Sequence, residues 1–353
     1  MSGFLSKRLS SLIPYTPGEQ PKMLDLIKLN TNESPFPPSP KAQKAAAEAA
    51  KRLELYPDPQ CRRLTQAVAS NLGLDPDQVL MTNGSDEILY FAFLAFCDSD
   101  TPAVMADITY GFYKVYADLC GVKKNVIPLK DDFTVDVDGF CNAEGTVFLA
   151  NPNAPTGLLL PLCDVERILS SKPDRVVLVD EAYVDFGGES AIKLLDRYDN
   201  LIVTRTFSKS RSMAGARLGF GAASKELIGD LNTVKYSINP YNINSMTMAA
   251  GLGVMADEEY TLENCRSIIS NREYTCAELK KMGFTLTDSK TNFIFCAHPD
   301  VDGSEIYSRL REKGILVRHF DQERIKNHNR ITVGSLEQMQ SLLKALEEIL
   351  KEK

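Results

Sequence analysis

Lys209 stands in the stretch "LIVTRTFSKSRSMAGARLGFGAA", residues 201–223. An apolar run leads up to it, Thr206 and Ser208 come just before it, and small residues with Arg217 follow. A lysine amine held still can attack a carbonyl. Hydroxyls and a guanidinium beside it suit a phosphate dianion. The plainer alternative is a solvated basic loop of Arg205, Lys209 and Arg211, but glycine and alanine around Arg217 fit close packing better. Asp180 ends a second apolar run, in "VVLVDEAYVDF". A carboxylate buried there is costly without a cationic partner; at the surface it would merely cap the next element. A third stretch, "TNGSDEILYFAFLAF", opens a hydrophobic helix on Gly84, Ser85 and Asp86. Free N–H groups and the helix dipole there favour an anion, or Ser85 or Asp86 forms an ordinary N-cap.

Taken together, these pieces ask for one ligand with a carbonyl, a phosphate and a ring nitrogen that seeks a carboxylate. Pyridoxal 5′-phosphate (PLP) has all three. Its usual protein partners are a lysine on the aldehyde and an aspartate on the pyridinium nitrogen.

Such a site needs elements to position it. Between about residues 60 and 240, short apolar runs ("QVLMT", "PAVMA", "NVIPL", "TVFLAN", "RVVLVD", "LIVTRT", "RLGFGAA") alternate with helix-like segments such as "DEILYFAFLAF" and "CDVERILSS". That alternation predicts an α/β fold with a mostly parallel sheet covered by helices on both faces. Ligands in such sheets gather at the carboxyl ends of the strands. From about residue 245 the texture changes to a smaller α+β module, running through "TNFIFC", "ILVRHF" and "RITVG" to the helix "SLEQMQSLLKALEEILKEK". The division expected is residues 1–40 as a proline-rich extended arm that joins the small domain, 41–245 as the large domain, and 246–353 as the small C-terminal domain. "KAQKAAAEAAKRLELY" predicts a strong helix stopped by "YPDP".

Composition narrows the function classes. The chain has 353 residues and a net charge of −7, which argues against non-specific nucleic-acid binding. No apolar run is long enough to span a bilayer, and the N-terminus does not read as a signal peptide. The eight cysteines are scattered without a C-x-x-C pair, as expected of reduced thiols in the cytoplasm. With three histidines, the sequence offers little for a histidine metal site, and no metal is expected.

Motifs extend the reading over nearly the whole chain: "LNTNESPF", "YPDP", "GSDE", "TYGFY", "NPNAPTG", "DEAYVDF", "RTFSKSRSMAGARLGF", "TNFIF", "GILVRHF" and "RITVGS", in that order. In these the chain resembles the fold-type I PLP enzymes, and within them the histidinol-phosphate aminotransferase family. The resemblance implies a cytoplasmic homodimer with shared active sites. It further implies transfer of an amino group between an amino donor, glutamate, and a keto acid, imidazole-acetol phosphate. Lys209 resembles the lysine that binds PLP, Asp180 its pyridinium partner, and Tyr183 the donor to its phenolate oxygen. Gly84, Ser85, Asp86, Thr206, Ser208 and Arg217 resemble the phosphate cup, and Tyr110 the aromatic stacked on the ring. Tyr56 resembles a tyrosine that reaches the cofactor phosphate of the neighbouring subunit.

Tyr15, Asn32, Arg318 and Arg330 resemble the substrate-binding set, with Asn292 near the pocket floor. A planar guanidinium takes a carboxylate or a phosphate equally well. One position departs from the family pattern. The asparagine expected just before "PTG" is Ala154, which leaves Asn153 as the nearest candidate for a cofactor contact. The alternatives kept open are an aromatic aminotransferase, a threonine-phosphate decarboxylase, and a non-catalytic PLP-binding regulator.

Overall fold

The computed structural model describes residues 4–6, 9, 12–16, 18–19 and 26–352. Part of the expected N-terminal arm therefore lies outside the described residues. The strands are β1 (Ile27–Lys28), β2 (Val79–Thr82), β3 (Ala103–Ala106), β4 (Lys124–Ile127), β5 (Thr146–Ala150), β6 (Val177–Asp180), β7 (Leu201–Thr206), β8 (Gly219–Ala223), β9 (Thr285–Leu286), β10 (Phe293–Ala297), β11 (Ile315–Leu316), β12 (Arg318–His319) and β13 (Asn329–Thr332). The α-helices are α1 (Pro40–Ala49), α2 (Arg62–Leu72), α3 (Ser85–Phe96), α4 (Phe112–Cys120), α5 (Val137–Asn142), α6 (Leu162–Ser171), α7 (Lys225–Ile238), α8 (Ser245–Met255), α9 (Glu258–Lys281), α10 (Gly303–Glu312) and α11 (Leu336–Lys351). Among the described residues, no helix is long and apolar enough to cross a membrane.

Seven strands form the main sheet in the order β2-β8-β7-β6-β5-β3-β4. The pairs from β4 through β7 are parallel, whereas β8 runs antiparallel to both β7 and β2. β8 is thus the only reversed strand of that sheet. β5 and β6 are buried at every residue, which is why their sequences show no polar alternation. Successive residues serve opposite faces of the sheet: Val177 and Val179 join one core, Leu178 and Ile202 the other. A third core, including Ile294, Ile331, Val333, Leu342 and Leu346, lies between the four-stranded sheet β12-β13-β10-β9 and the C-terminal helices.

Local signals explain several boundaries. Ser39 caps α1, accepting from the Ala42 N–H, and Pro40 supplies the first turn without needing a donor. α1 ends earlier than "KAQKAAAEAAKRLELY" suggests. A single 3-10 turn follows to Arg52, and Leu53 and Leu55 are left exposed, so no packing extends the helix. Ser335 and Gln338 form a reciprocal capping box at the start of α11. "ILVRHF" divides into two short strands in different sheets: β11 pairs with β1 of the N-terminal segment, and β12 with β13. That division carries the chain after β1 over the carboxyl ends of the main sheet.

Candidate active site

The strand ends bring together residues far apart in sequence. Asp180 closes β6, Thr206 closes β7, and Ser85 opens α3 directly after β2. A cavity of about 250 Å³ at this edge is lined by Ser85, Asp86, Tyr110, Ala154, Asp180, Tyr183, Thr206, Ser208, Lys209 and Arg217, among others. A second compartment of about 390 Å³ shares Thr31, Tyr110, Ala154, Tyr183 and Lys209 with the first. It adds Tyr15, Asn32, Arg318 and Arg330.

At one end of the first cavity lies Asp180, 5% exposed. Burial raises its carboxyl to about 7, opposed by the hydroxyl of Tyr113, with the like charge of Asp86 adding to the rise. The Tyr113 hydroxyl donates to Asp180 Oδ2 at 3.1 Å, and the Ala182 N–H donates to Oδ1 at 3.2 Å. At the other end, Arg217 donates to Ser208 Oγ at 3.3 Å and to Asp86 Oδ2 at 3.0 Å. Thr206 Oγ1 donates to Ser208 Oγ at 2.9 Å, and the Tyr110 hydroxyl donates to Asp86 Oδ1 at 2.8 Å. Gly84, at φ +77°, lets this cradle close, since a Cβ there would sit 2.7 Å from Arg217 Nη2.

Lys209 lines both compartments. Burial lowers its amine to about 8, and the charge of Arg330 adds to the effect. Its Nζ donates to the Thr31 carbonyl at 3.2 Å and lies 5.9 Å from the Tyr183 ring centroid. Buried ion pairs surround its loop. Arg205 Nε donates to Glu181 Oε2 at 3.0 Å, and Arg211 Nη1 and Ser210 Oγ both donate to Asp185 Oδ2.

In the second compartment Arg318 and Arg330 are partners across β12 and β13. Among the described residues neither forms an ion pair with a carboxylate, and the buried Nε of Arg330 has no partner. Arg330 Nη2 donates to the Asn30 carbonyl at 3.1 Å, and its guanidinium lies over the Phe293 and Phe320 rings. Half-buried cationic groups with donors to spare are open to an anion.

Two expected residues sit differently from the expectation. Asn153 turns away from the cavity: its amide donates to the Ile108 carbonyl and to Thr156, and its oxygen accepts from Thr109. The segment is a turn, closed by the Gly157 N–H donating to the Asn153 carbonyl, and it presents Ala154 rather than Asn153 to the cavity. Asn32 commits its amide to protein partners: Oδ1 accepts from Thr332 Oγ1 at 3.1 Å and Nδ2 donates to the Tyr183 hydroxyl at 2.9 Å. Tyr56 is 83% exposed, stacks on Tyr241, and lines neither compartment of its own chain. Asn292 lies beneath the N-terminal segment and donates to the Asn32 carbonyl.

Sequence reasoning passed over Tyr113, Thr31 and Glu33. The signal for Tyr113 was a second tyrosine in "TYGFY"; its ring meets Tyr110 edge-on at 5.6 Å between centroids. Glu33 lines the cavity and is held by Lys28 and Thr31.

Comparison with known proteins agrees with this geometry. Residues 24–346 match the family model for aminotransferase class I and II. Histidinol-phosphate aminotransferase from Brachyspira hyodysenteriae is 46% identical, covering 99% of this chain and 100% of that protein. Histidinol-phosphate aminotransferase 1 from Pseudomonas aeruginosa is 47% identical, covering 98% of this chain and 99% of its own. The crystal structure of histidinol-phosphate aminotransferase from Sinorhizobium meliloti in complex with pyridoxal-5′-phosphate superposes with a TM-score of 0.91, at 25% identity, over 100% of this chain and 99% of that one. With a family match over most of its length and relatives this similar from end to end, the chain belongs to the class I and II aminotransferases.

Proposed function

We propose that this protein is a PLP-dependent transaminase. It moves the amino group of glutamate to imidazole-acetol phosphate, giving histidinol phosphate and 2-oxoglutarate in histidine biosynthesis. One observation carries the reading: the Lys209 amine stands where a buried carboxylate, an anion cradle and two arginines without carboxylate partners open into joined compartments. The cradle fits a phosphate in its donor set, with the Ser85, Thr206 and Ser208 hydroxyls, Arg217 and the N-terminus of α3. Asp86 would contribute its backbone N–H, because its carboxylate carries the same sign as phosphate.

Bound there, PLP supplies an electron-withdrawing ring that lets an amino group pass between carbon skeletons. Asp180 would hold a proton on the ring nitrogen, Tyr183 would donate to the phenolate oxygen, and Tyr110 would pack against the ring. The Lys209 amine would anchor the cofactor and, when free, carry the proton of the substrate Cα. Arg330 and Arg318 would orient the substrate anions, and Tyr15 would help hold the substrate phosphate.

The chain divides into the arm of residues 1–40, a cofactor domain of 41–245 and a small domain of 246–353. It works as a homodimer: Leu53, Leu55, Tyr56, Tyr236, Ile238 and Tyr241 are large apolar side chains left exposed, and Tyr56 would extend to the partner's phosphate cradle. Among the described residues no disulfide joins the eight cysteines, which suits a reducing cytoplasm.

The test is to mix the PLP-loaded protein with histidinol phosphate and, separately, with phenylalanine, and to follow the visible absorbance. Faster conversion with histidinol phosphate supports the reading. Equal or faster conversion with phenylalanine moves it to an aromatic aminotransferase, and CO2 release without a keto acid to a decarboxylase. Within the same reading, Arg330→Ala will raise KM for both substrates by about 10²-fold or more, as expected when one member of a buried charge-assisted pair is removed. Steady-state kinetics with each substrate checks this.

A further inference from the structure

Three consecutive residues, Asn30, Thr31 and Asn32, touch three separate parts of the site. The Asn30 carbonyl accepts from Arg330, the Thr31 carbonyl accepts from Lys209 Nζ, and Asn32 Nδ2 donates to the Tyr183 hydroxyl. Asn32 is 1% exposed and sits at φ +56°, in the left-handed region that non-glycine residues seldom adopt. Every polar group of Asn32 has a partner. Its N–H donates to Thr332 Oγ1 at 2.9 Å, its carbonyl accepts from Asn292, its Oδ1 accepts from Thr332, and its Nδ2 bonds Tyr183. Asparagine tolerates this conformation better than most side chains, and a residue bonded this fully around one outgoing donor points to a task for that donor.

The task follows from the position of Ala154. That residue faces the cavity and offers no hydrogen bond there, so the polar environment around Tyr183 has to come from elsewhere. Asn32 reaches Tyr183 from 151 residues earlier in the chain. Because its amide donates to the tyrosine oxygen, the tyrosine proton is directed away from Asn32. A hydroxyl that accepts one hydrogen bond donates the next one more strongly.

We propose that Asn32 is a positioning residue that acts through Tyr183: it aims and strengthens the Tyr183 donor at the cofactor's phenolate oxygen. The proposal rests on the PLP reading above. A stronger donor favours the phenolate, and with it the unprotonated form of the lysine-bound chromophore. Removing the amide therefore raises the pH at which the visible band of the loaded enzyme titrates. Lys209, Arg330, Asp180 and Asp86 also act on Tyr183, and they remain in place in the variants compared.

Asn32→Gly is the variant of choice, because glycine adopts φ +56° without strain while deleting the amide. Loaded N32G is expected to titrate about 0.5–1 pH unit higher than wild type, the scale of one hydrogen bond. Tyr183→Phe should shift it at least as far, and adding N32G to Y183F should shift it no further. A midpoint unmoved in N32G while Y183F moves it overturns the proposal, as does an equal N32G shift in the Y183F background. Failure of the PLP reading looks different: wild type would then form no visible band at all. If N32G unfolds, Thr332→Val, which removes the hydroxyl bonded to Asn32 Oδ1, is read in the same titration, with the same outcomes deciding.

Discussion

Lys209→Ala will bind PLP yet lose at least about 10³-fold in turnover, because the proposed mechanism gives one amine both the covalent anchor and the proton transfer. Borohydride will fix a chromophore on wild-type protein and none on the variant. The cradle of Ser85, Ser208 and Arg217 stays intact, so the variant should still retain the cofactor through dialysis, bound without a covalent link. Its wild-type counterpart carries a pH signature. Burial lowers the Lys209 amine to about 8, with Arg330 contributing. Only the unprotonated amine attacks an aldehyde. Incorporation of PLP into apoprotein should therefore speed up about tenfold per pH unit below about 8 and level off above it. Stopped-flow absorbance checks the profile. A rate still climbing toward pH 10 would mean that the amine is not desolvated, and K209A retaining turnover would remove Lys209 from the chemistry.

The parts of the site readable in the sequence were those announced by local contrast. A carboxylate closing the apolar run of β6 and a lysine following β7 stand out against their neighbours, and both line the cavity at the carboxyl ends of those strands. The alternation of apolar runs and helices gave the sheet, because parallel strands covered on both faces are mostly apolar along their length. The reversed direction of β8 left no such trace, since GFGAA would be equally buried either way. Contacts closed over long loops were silent too. Lys209 meets Thr31 across 178 residues and Tyr183 meets Asn32 across 151, and no spacing rule connects them. Asn153 shows the converse: proximity in sequence to a family position says nothing about side-chain direction in a turn, where neighbouring hydrogen bonds decide it.

Asp180→Asn separates the demands of catalysis from those of folding. In the proposed loaded enzyme the carboxylate would face a protonated ring nitrogen, and replacing it by a neutral amide should cost roughly 10²- to 10³-fold in turnover, the scale for losing one preorganised electrostatic partner. In the apoprotein the same carboxylate is buried without a cation, and burial raises it from 3.8 to about 7. The folded state thus holds a proton that the unfolded chain has already released. Its stabilising contribution is complete below about pH 4 and is lost as pH rises to about 7. Asparagine has no proton to lose. Apo D180N should therefore unfold at a higher temperature than apo wild type at pH 8.5, with a ceiling of about 4 kcal/mol, and the gap should narrow at pH 5.5. Loading with PLP should reverse the order, because only the wild type then gains the ion pair. An apo D180N that melts below wild type at pH 8.5 would show that Tyr113 and the Ala182 N–H already satisfy the carboxylate, and that its burial stores no free energy for the cofactor to recover.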